Sequence, residues 1–160
     1  MKLTIAAIGR MKAGPIADLV ETYASRTKQT GRPAGITALN IVDFAESRKP
    51  TANARMSEEA GVLLAACPAG ATLITFDETG RSLTSQQFAK LMQNELDGGT
   101  QDLVMAIGGP DGHGAEIYER ARHVISFGKM TWPHMLARVL LSEQIYRVVT
   151  ILVNHPYHRD

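Results

Sequence analysis

The sequence lacks the features of secreted and membrane-spanning proteins. Its 160 residues include one cysteine, Cys67, and no apolar run near the ~20 residues that cross a bilayer. A single cysteine cannot build an internal disulfide framework, which favours a cytoplasmic setting. The opening "MKLTIAAIGRMKAG" is typical of a first strand and lacks the longer apolar core of a secretory signal. At this length we expect one domain over residues 1–160.

The sequence also lacks a large net charge of either sign. Lys and Arg total 17, Asp and Glu total 16, and the formal net charge is +1. Many nucleic-acid-binding domains are far more basic, so any RNA contact here must use a local basic patch. The chain contains neither a G-x-G-x-x-G after its first strand nor a G-x-x-x-x-G-K-[ST]. Both a dinucleotide fingerprint and a phosphate-binding loop are therefore unsupported.

What is present is an alternation of strand and helix patterns. Strands are predicted at 2–9, 36–44, 71–77, 102–109 and 123–128. Helices are predicted at 15–31, 51–67, 84–98, 115–121 and from Pro133 onward. The β-branched end of the last helix, "VVTILV", either stops that helix early or is packed on all sides. This order predicts an α/β fold with a mostly parallel sheet flanked by helices.

Three segments that follow predicted strands are candidates for a ligand site: "TFDETG", "IGGPDGHG" and "SFGKMTWPH". Ligands of such sheets bind outside the carboxyl ends of the strands. The glycines of the second segment permit close main-chain approach or positive φ, although a tight turn explains them equally well. The third segment is too apolar to face water. Its Phe127, Met130 and Trp132 either pack inside or hold a flat ligand such as adenine.

The chain ends in "NHPYHRD", an unusual concentration of functional side chains. Histidine titrates near neutral pH, tyrosine stacks on nucleobases, and arginine pairs with phosphate. A tail that merely docks on the sheet is the structural alternative. A metal site of His134, His155 and His158 is a further alternative, but no Cys or Glu joins them at a suitable spacing.

Together these segments resemble a known family. "AIGGPDG", "SFGKMTWPHMLARVLLSEQIYR" and "NHPYHR", with "MKLTIAAIGRMK" and "ITFDETG", are similar to the ribosomal RNA large subunit methyltransferase H family. That family belongs to the SPOUT class of S-adenosylmethionine-dependent RNA methyltransferases. The resemblance implies a trefoil knot in the C-terminal half and a homodimer. It also implies methylation of N3 of a pseudouridine in large-subunit ribosomal RNA, within the assembled ribosome.

The resemblance also implies roles for individual residues. Those expected to bind S-adenosylmethionine are Phe76, where the family commonly has Leu, and Gly108, Phe127, Gly128, Lys129, Met130, Thr131 and Trp132. Those expected to act in catalysis are Arg138, His155, Tyr157 and His158, with the tail donated by the partner subunit. Apart from the resemblance, the candidate basic patch for RNA comprises Lys2, Arg10, Lys12, Arg138, Arg147 and Arg159, with a scattered solvated surface as the alternative. Neither a metal nor a membrane partner is implied.

Several alternatives stay open at this point. Either tail histidine could be the general base, or solvent could accept the proton while Arg138 stabilises the imide anion. As a helical arginine, Arg138 could also form only a surface ion pair. The enzyme could methylate another RNA nucleotide, or the chain could be a non-catalytic α/β ligand-binding module. A metal hydrolase is the weakest rival.

Overall fold

The computed structural model describes residues 1–158. Its strands are β1 (Lys2–Ile8), β2 (Ala38–Phe44), β3 (Thr72–Ser82), β4 (Asp102–Ile107) and β5 (His123–Ser126). Its α-helices are α1 (Pro15–Thr30), α2 (Ala52–Ala65), α3 (Ser85–Asp97), α4 (Ala115–Arg120) and α5 (His134–Leu152). A 3₁₀ turn at Arg32–Ala34 precedes β2. Within the described residues the strands form one parallel sheet in the order β2-β1-β4-β3-β5, which confirms the predicted α/β class.

The helices begin where local chemistry favours a start. Pro15 occupies the first turn of α1, where its missing N–H costs no hydrogen bond. The Thr51 hydroxyl caps α2 by accepting from the Ala54 N–H at 3.3 Å. Thr84 and Gln87 form a capping box that starts α3. These starts agree with the sequence-based prediction.

Apolar side chains cover both faces of the sheet. Leu3 and Ile5 of β1 face the core formed with α1, α3 and α5, while Ala6 and Ile8 face the core formed with α2 and α4. The β-branched end of α5 is buried at Val148 and Val149, so that helix continues to Leu152. None of the helices within residues 1–158 has the length and hydrophobicity needed to cross a membrane.

The third strand differs from its predicted bounds, which ended at residue 77. Phe76 and Arg81 both pair with Ile125 of β5, so residues 77–80 bulge out of β3 before pairing resumes. Gly80 allows this because a Cβ there would lie 2.6 Å from the carbonyl carbon of Ile125. The predicted "TFDETG" loop is therefore a bulge within one long strand, held at the carboxyl end of the sheet.

Candidate functional site

A cleft of about 580 Å³ opens at the carboxyl ends of the three adjacent strands β4, β3 and β5. The β3 bulge, the glycine-rich loop after β4 and the loop after β5 form its walls. His134 and Ala137 from the start of α5 and Met56 from α2 complete the lining. The three segments singled out in the sequence therefore meet at one place, as the topology of a parallel sheet requires.

The glycine-rich loop folds too tightly for side chains. A Cβ on Gly108 would lie 2.7 Å from the Gly112 carbonyl oxygen, and one on Gly109 would lie 2.8 Å from Glu59 Oε2. Gly112 has φ +88° and donates its N–H to the Gly109 carbonyl at 3.0 Å. The tight-turn interpretation is thus correct, and the same turn presents bare main chain to the cleft.

His113 ties this loop to the end of β3. Its Nε2 lies 2.7 Å from Thr75 Oγ1 and 3.2 Å from the Phe76 carbonyl oxygen. Because a carbonyl can only accept, Nε2 carries the hydrogen, and Nδ1 is a buried acceptor with no partner in the described residues. Burial lowers the pKa of His113, which keeps the ring neutral at pH 7.

Helix α2 holds the loop from the other side. Arg55 donates from Nε to Asp111 Oδ2 at 2.6 Å and from Nη2 to Asp111 Oδ1 at 3.0 Å. A third bond runs from Arg55 Nη1 to the Lys49 carbonyl at 3.1 Å. The hydrogen bond from Arg55 lowers the pKa of the Asp111 carboxyl. The positive charge of Arg55 neutralises this carboxylate at the edge of the cleft.

Carboxylates on the β3 bulge give the opposite wall a negative charge. Asp77 Oδ1 accepts from the Thr79 N–H at 2.9 Å and from its hydroxyl at 2.5 Å, and Oδ2 accepts from the Tyr118 hydroxyl at 2.9 Å. Burial alone would raise the pKa of Asp77, but these hydrogen bonds outweigh it and the pKa is lowered. Burial and the Asp77 carboxylate raise the pKa of Tyr118 to about 12. Beside them, Glu78 Oε2 accepts from the Thr131 hydroxyl at 3.3 Å across the cleft mouth.

Apolar side chains form the third wall. The Phe76 and Phe127 rings stack with centroids 4.9 Å apart. Met130 and Trp132 line the cleft with 73% and 41% of their surface exposed, so the interior packing considered for this loop occurs at Phe127 and not at these two residues. Exposed aromatic surface beside bare main chain and carboxylates suits a ligand with a flat ring and a positive charge, as a sulfonium methyl donor has.

The predicted cofactor residues gather here with one exception. Those lining the cleft are Phe76, Gly108, Phe127, Gly128, Met130, Thr131 and Trp132. Lys129 lies within the same loop but is exposed and is not among the residues that line the cleft. Sequence reasoning missed the polar residues Asp77 and His113, and it considered His134 only as a metal ligand. Asp77 was detectable as an acidic residue at the end of a predicted strand, whereas His113 gave no periodic or motif signal.

Arg138 lies beneath the cleft rather than in it. Its side chain is 1% exposed, and Nη2 donates to the carbonyls of Ile8 and Gly9 at the end of β1. Nη1 lies 3.9 Å from Asp43 Oδ2, while Nε and Nη1 have no hydrogen-bond partner in the described residues. Burial lowers the pKa of Arg138. The alternative of a surface ion pair is therefore wrong, because this guanidinium is enclosed.

The described part of the tail does not reach the cleft of its own subunit. The Tyr157 ring packs on Tyr146 at 4.6 Å, and its hydroxyl donates to Glu143 Oε1 at 3.1 Å. His155 Nδ1 accepts the Tyr157 N–H at 3.1 Å. Neither histidine of the tail lines the cleft. Glu143 lies about 14 Å along α5 from the cleft end of that helix, so the tail docks on a helix and not on the sheet.

The predicted basic residues are scattered. Arg10 and Lys12 are exposed in the segment after β1, at the cleft end of the sheet. Lys2 lies at the opposite end of β1, 3.6 Å from Asp102. Arg147 pairs with Glu143, and Arg159 falls outside the described residues. In residues 1–158 no cluster of His, Cys, Asp or Glu is suited to hold a metal ion.

Comparison with known proteins agrees with the geometry. Residues 1–158 match a family model described as "Predicted SPOUT methyltransferase". A protein of Brucella anthropi named ribosomal RNA large subunit methyltransferase H is 45% identical over 160 residues, all of both chains. Proteins of the same name from Xanthobacter autotrophicus and Rhizobium meliloti are each 46% identical over 159 residues, 99% of both chains. The chain therefore belongs to the SPOUT methyltransferase family, in the group named ribosomal RNA large subunit methyltransferase H.

Proposed function

We propose that this protein transfers a methyl group from S-adenosylmethionine to N3 of a pseudouridine in the 23S ribosomal RNA of assembled ribosomes. The names of its relatives support ribosomal RNA as the substrate class. The observation that carries the proposal is the cleft itself, where the predicted cofactor residues meet around exposed Met130 and Trp132.

In this proposal different cleft residues bind different parts of the cofactor. Trp132 and Met130 would hold the adenine ring, and the bare main chain at Gly108 would hydrogen-bond to its edge. The carboxylates of Asp77 and Glu78 balance the positive charge of the ligand. When bound, S-adenosylmethionine supplies an electrophilic methyl group on sulfur. Lys129, which does not line the cleft, serves the same loop through its main chain.

The weak acidity of the target N3–H determines which chemistry the protein must provide. N3–H of pseudouridine is a weak imide acid, so its proton must leave before the nitrogen can attack. Holding the two reactants in line contributes up to roughly 7–11 kcal/mol in ideal cases. A positioned base contributes about 10²–10⁴-fold more. The chain must therefore hold the nucleobase against the cleft and provide a proton acceptor.

The tail of a second copy supplies this positioning in our proposal. His155, Tyr157 and His158 stack on or bond to the nucleobase, and Arg159 pairs with a phosphate. The tail docks on α5 of its own subunit, away from its own cleft. This position supports a model in which each tail reaches the cleft of the other subunit. The functional unit is accordingly a homodimer with composite sites.

The basic residues take different parts in RNA binding. Arg10 and Lys12 at the cleft end of the sheet, with Arg147 on α5, contact the RNA backbone. Arg138 is enclosed, so its role in our proposal is to stabilise negative charge in the site and not to contact a phosphate. A weakly basic protein suits a large preformed ribosomal substrate that offers many contacts.

Family membership also supports the remaining features of the proposal. We propose one methyltransferase domain over residues 1–160, with a trefoil knot in its C-terminal half and a cytoplasmic place of action. Neither a metal nor a membrane takes part in this mechanism.

The decisive experiment supplies radiolabelled S-adenosylmethionine to ribosomes that lack the modification. We expect label in 23S RNA at a pseudouridine, with weaker transfer to naked RNA. Label at another nucleotide, or in transfer RNA, would mean that the protein methylates a different RNA substrate by the same reaction. Tight cofactor binding without any transfer would favour the non-catalytic module.

A further inference from the structure

We propose that His134, oriented by Glu46, is the base that accepts the N3 proton of the target nucleobase. This inference rests on the proposed function, in which a proton acceptor is required and unassigned. His134 is the first residue of α5 and lines the cleft two residues after Trp132. The roles proposed above for cofactor and RNA binding leave its imidazole unassigned.

The orientation of the ring carries the argument. Nε2 of His134 is buried and lies 3.6 Å from Glu46 Oε1. Its position depends on the glycine at the end of β1, because a Cβ on Gly9 would lie 2.9 Å from Nε2. Gly9 has φ +91°, a conformation that other residues rarely adopt. One nitrogen of the ring is thus directed inward, toward a carboxylate.

The other nitrogen remains free. Within the described residues the His134 side chain makes no hydrogen bond, and only its Nε2 is a buried unpartnered atom. Nδ1 is therefore accessible on a side chain that lines the cleft. With the hydrogen on Nε2 facing Glu46, Nδ1 presents a lone pair to a ligand in the cleft. A base and an orienting carboxylate are commonly farther apart in a free enzyme than in its substrate complex.

Charged side chains from several elements surround this imidazole. Glu46 from the segment after β2 lies 3.6 Å from Nε2, and Asp77 and Glu78 also line the cleft. Arg138 is one turn further along α5, and Asp43 of β2 lies 3.9 Å from that guanidinium and offsets part of its charge. Carboxylates outnumber guanidinium groups among these residues, so a proton arriving from the nucleobase does not give the site an excess of positive charge.

The reaction balances with this assignment. The N3 proton passes to Nδ1 of His134, the nitrogen–methyl bond forms, and the methyl–sulfur bond breaks with its electron pair left on sulfur. The positive charge lost from sulfur leaves the site as the proton on the imidazole. The histidinium then releases that proton to solvent through the open cleft.

The tail histidines fit this task less well in the described subunit. His155 Nδ1 is already engaged by the Tyr157 N–H, and His158 Nδ1 is buried without a partner. The tail would thus position the nucleobase while His134 takes the proton. This division gives each subunit of a composite site a separate role.

The test compares single-turnover methyl transfer to ribosomes from pH 5.5 to 9 in four proteins. They are the wild type, His134→Gln, Glu46→Gln and the matched control His123→Gln. Glutamine keeps an N–H where Nε2 faces Glu46 but lacks a basic nitrogen at Nδ1. His123 Nε2 also lies 3.6 Å from a carboxylate, Glu95 Oε1, but does not line the cleft.

We expect His134→Gln to lower the rate by about 10²–10⁴-fold and to remove the loss of rate on the acid side. Glu46→Gln should lower the rate by less, since the ring keeps its basic nitrogen and loses only the carboxylate that orients it. The NMR chemical shifts of the His134 ring should change in Glu46→Gln and stay unchanged in His123→Gln, a readout independent of turnover. Cofactor affinity measured by calorimetry should stay within about twofold of the wild type in every variant, well below the roughly fivefold that 1 kcal/mol represents.

Two results overturn the inference alone: an unchanged rate and pH profile in His134→Gln, or unchanged NMR chemical shifts of the His134 ring in Glu46→Gln. The second decides the matter if His134→Gln does not fold. Absence of transfer by the wild type, despite cofactor binding, would instead overturn the proposed function and this inference with it.

Discussion

The Tyr157 hydroxyl donates a hydrogen bond to Glu143 Oε1 at 3.1 Å, which fastens the C-terminal tail to the middle of α5. Arg147 strengthens this arrangement, because it bonds to the same Glu143 oxygen at 2.5 Å and lies over the Tyr157 ring at 5.1 Å. The contact holds the tail away from the cleft of its own subunit. In the proposed dimer the same geometry directs each tail outward, toward a neighbouring copy.

Removing residues 155–160 should abolish turnover and leave cofactor affinity largely intact, because no described tail residue lines the cleft. Methyl transfer and calorimetry on the truncated protein measure the two effects. Mixing it with Trp132→Ala subunits should restore activity, since each mixed dimer combines one intact cleft with one intact tail. Retained turnover in the truncated protein alone would remove the tail from the site.

Trp132→Ala should weaken cofactor binding by roughly 5- to 150-fold, the equivalent of about 1–3 kcal/mol for a stacked ring. Its side chain is 41% exposed and borders the cleft, so the loss should come from ligand contact and not from the core. Calorimetry with S-adenosylmethionine provides the measurement. Leu19→Ala, at another exposed apolar residue on α1, is the control and should bind normally.

Sedimentation should give a mass about twice that of the 17.4 kDa chain. The proposed composite site needs two copies, because the tail docks about 14 Å along α5 from its own cleft. The measurement should be repeated at the concentrations used for turnover. An active monomer there would contradict the shared site.

Asp77→Asn should reduce the preference for the cationic methyl donor over its neutral demethylated product by about fivefold, the equivalent of about 1 kcal/mol between nearby charges in water. The hydrogen bonds from Thr79 and Tyr118 keep the pKa of Asp77 low, so the carboxylate is charged at pH 7. Dissociation constants for both ligands at low and high salt supply the ratio. Asp97→Asn, exposed at the end of α3, should leave it unchanged.

Glu95→Gln should alter the pH dependence of stability. Burial raises the pKa of Glu95, but hydrogen bonds from Thr100, Arg122 and Thr72 outweigh it, and the pKa falls below its ordinary value of 4.5. Because the folded pKa is below the unfolded one, this stabilisation is complete above pH 4.5 and is lost as the pH falls further.

Urea unfolding at several pH values between 3 and 7 tests the contribution of Glu95 to the pH dependence of stability. At pH 7 the variant should lose about 1–3 kcal/mol of unfolding free energy, and its acid-induced loss should be smaller than in the wild type. Exposed Glu119→Gln serves as the control. Parallel acid profiles for Glu95→Gln and the wild type would show that this carboxylate does not contribute the difference.

Local chemistry made much of the fold predictable. Pro15 and Gly31 mark the ends of α1, and Thr84 and Gly98 mark those of α3, because caps and φ preferences act over a few residues. The alternation of strands and helices implied a parallel sheet, and a parallel sheet brings its loops to one edge. The place of the cleft and most of the residues around it followed from these rules.

Long-range packing decided the rest. Residue 138 bonds to the carbonyl of residue 8, 130 positions away, and no local pattern indicates that this arginine is enclosed. The tautomer of His113, the bulge of β3 and the inward-facing Nε2 of His134 likewise depend on atoms from other elements. The sequence alone determined which side chains were available and which elements carry them. The tertiary structure decided their partners and burial, since desolvation and hydrogen bonding depend on neighbours distant in the chain.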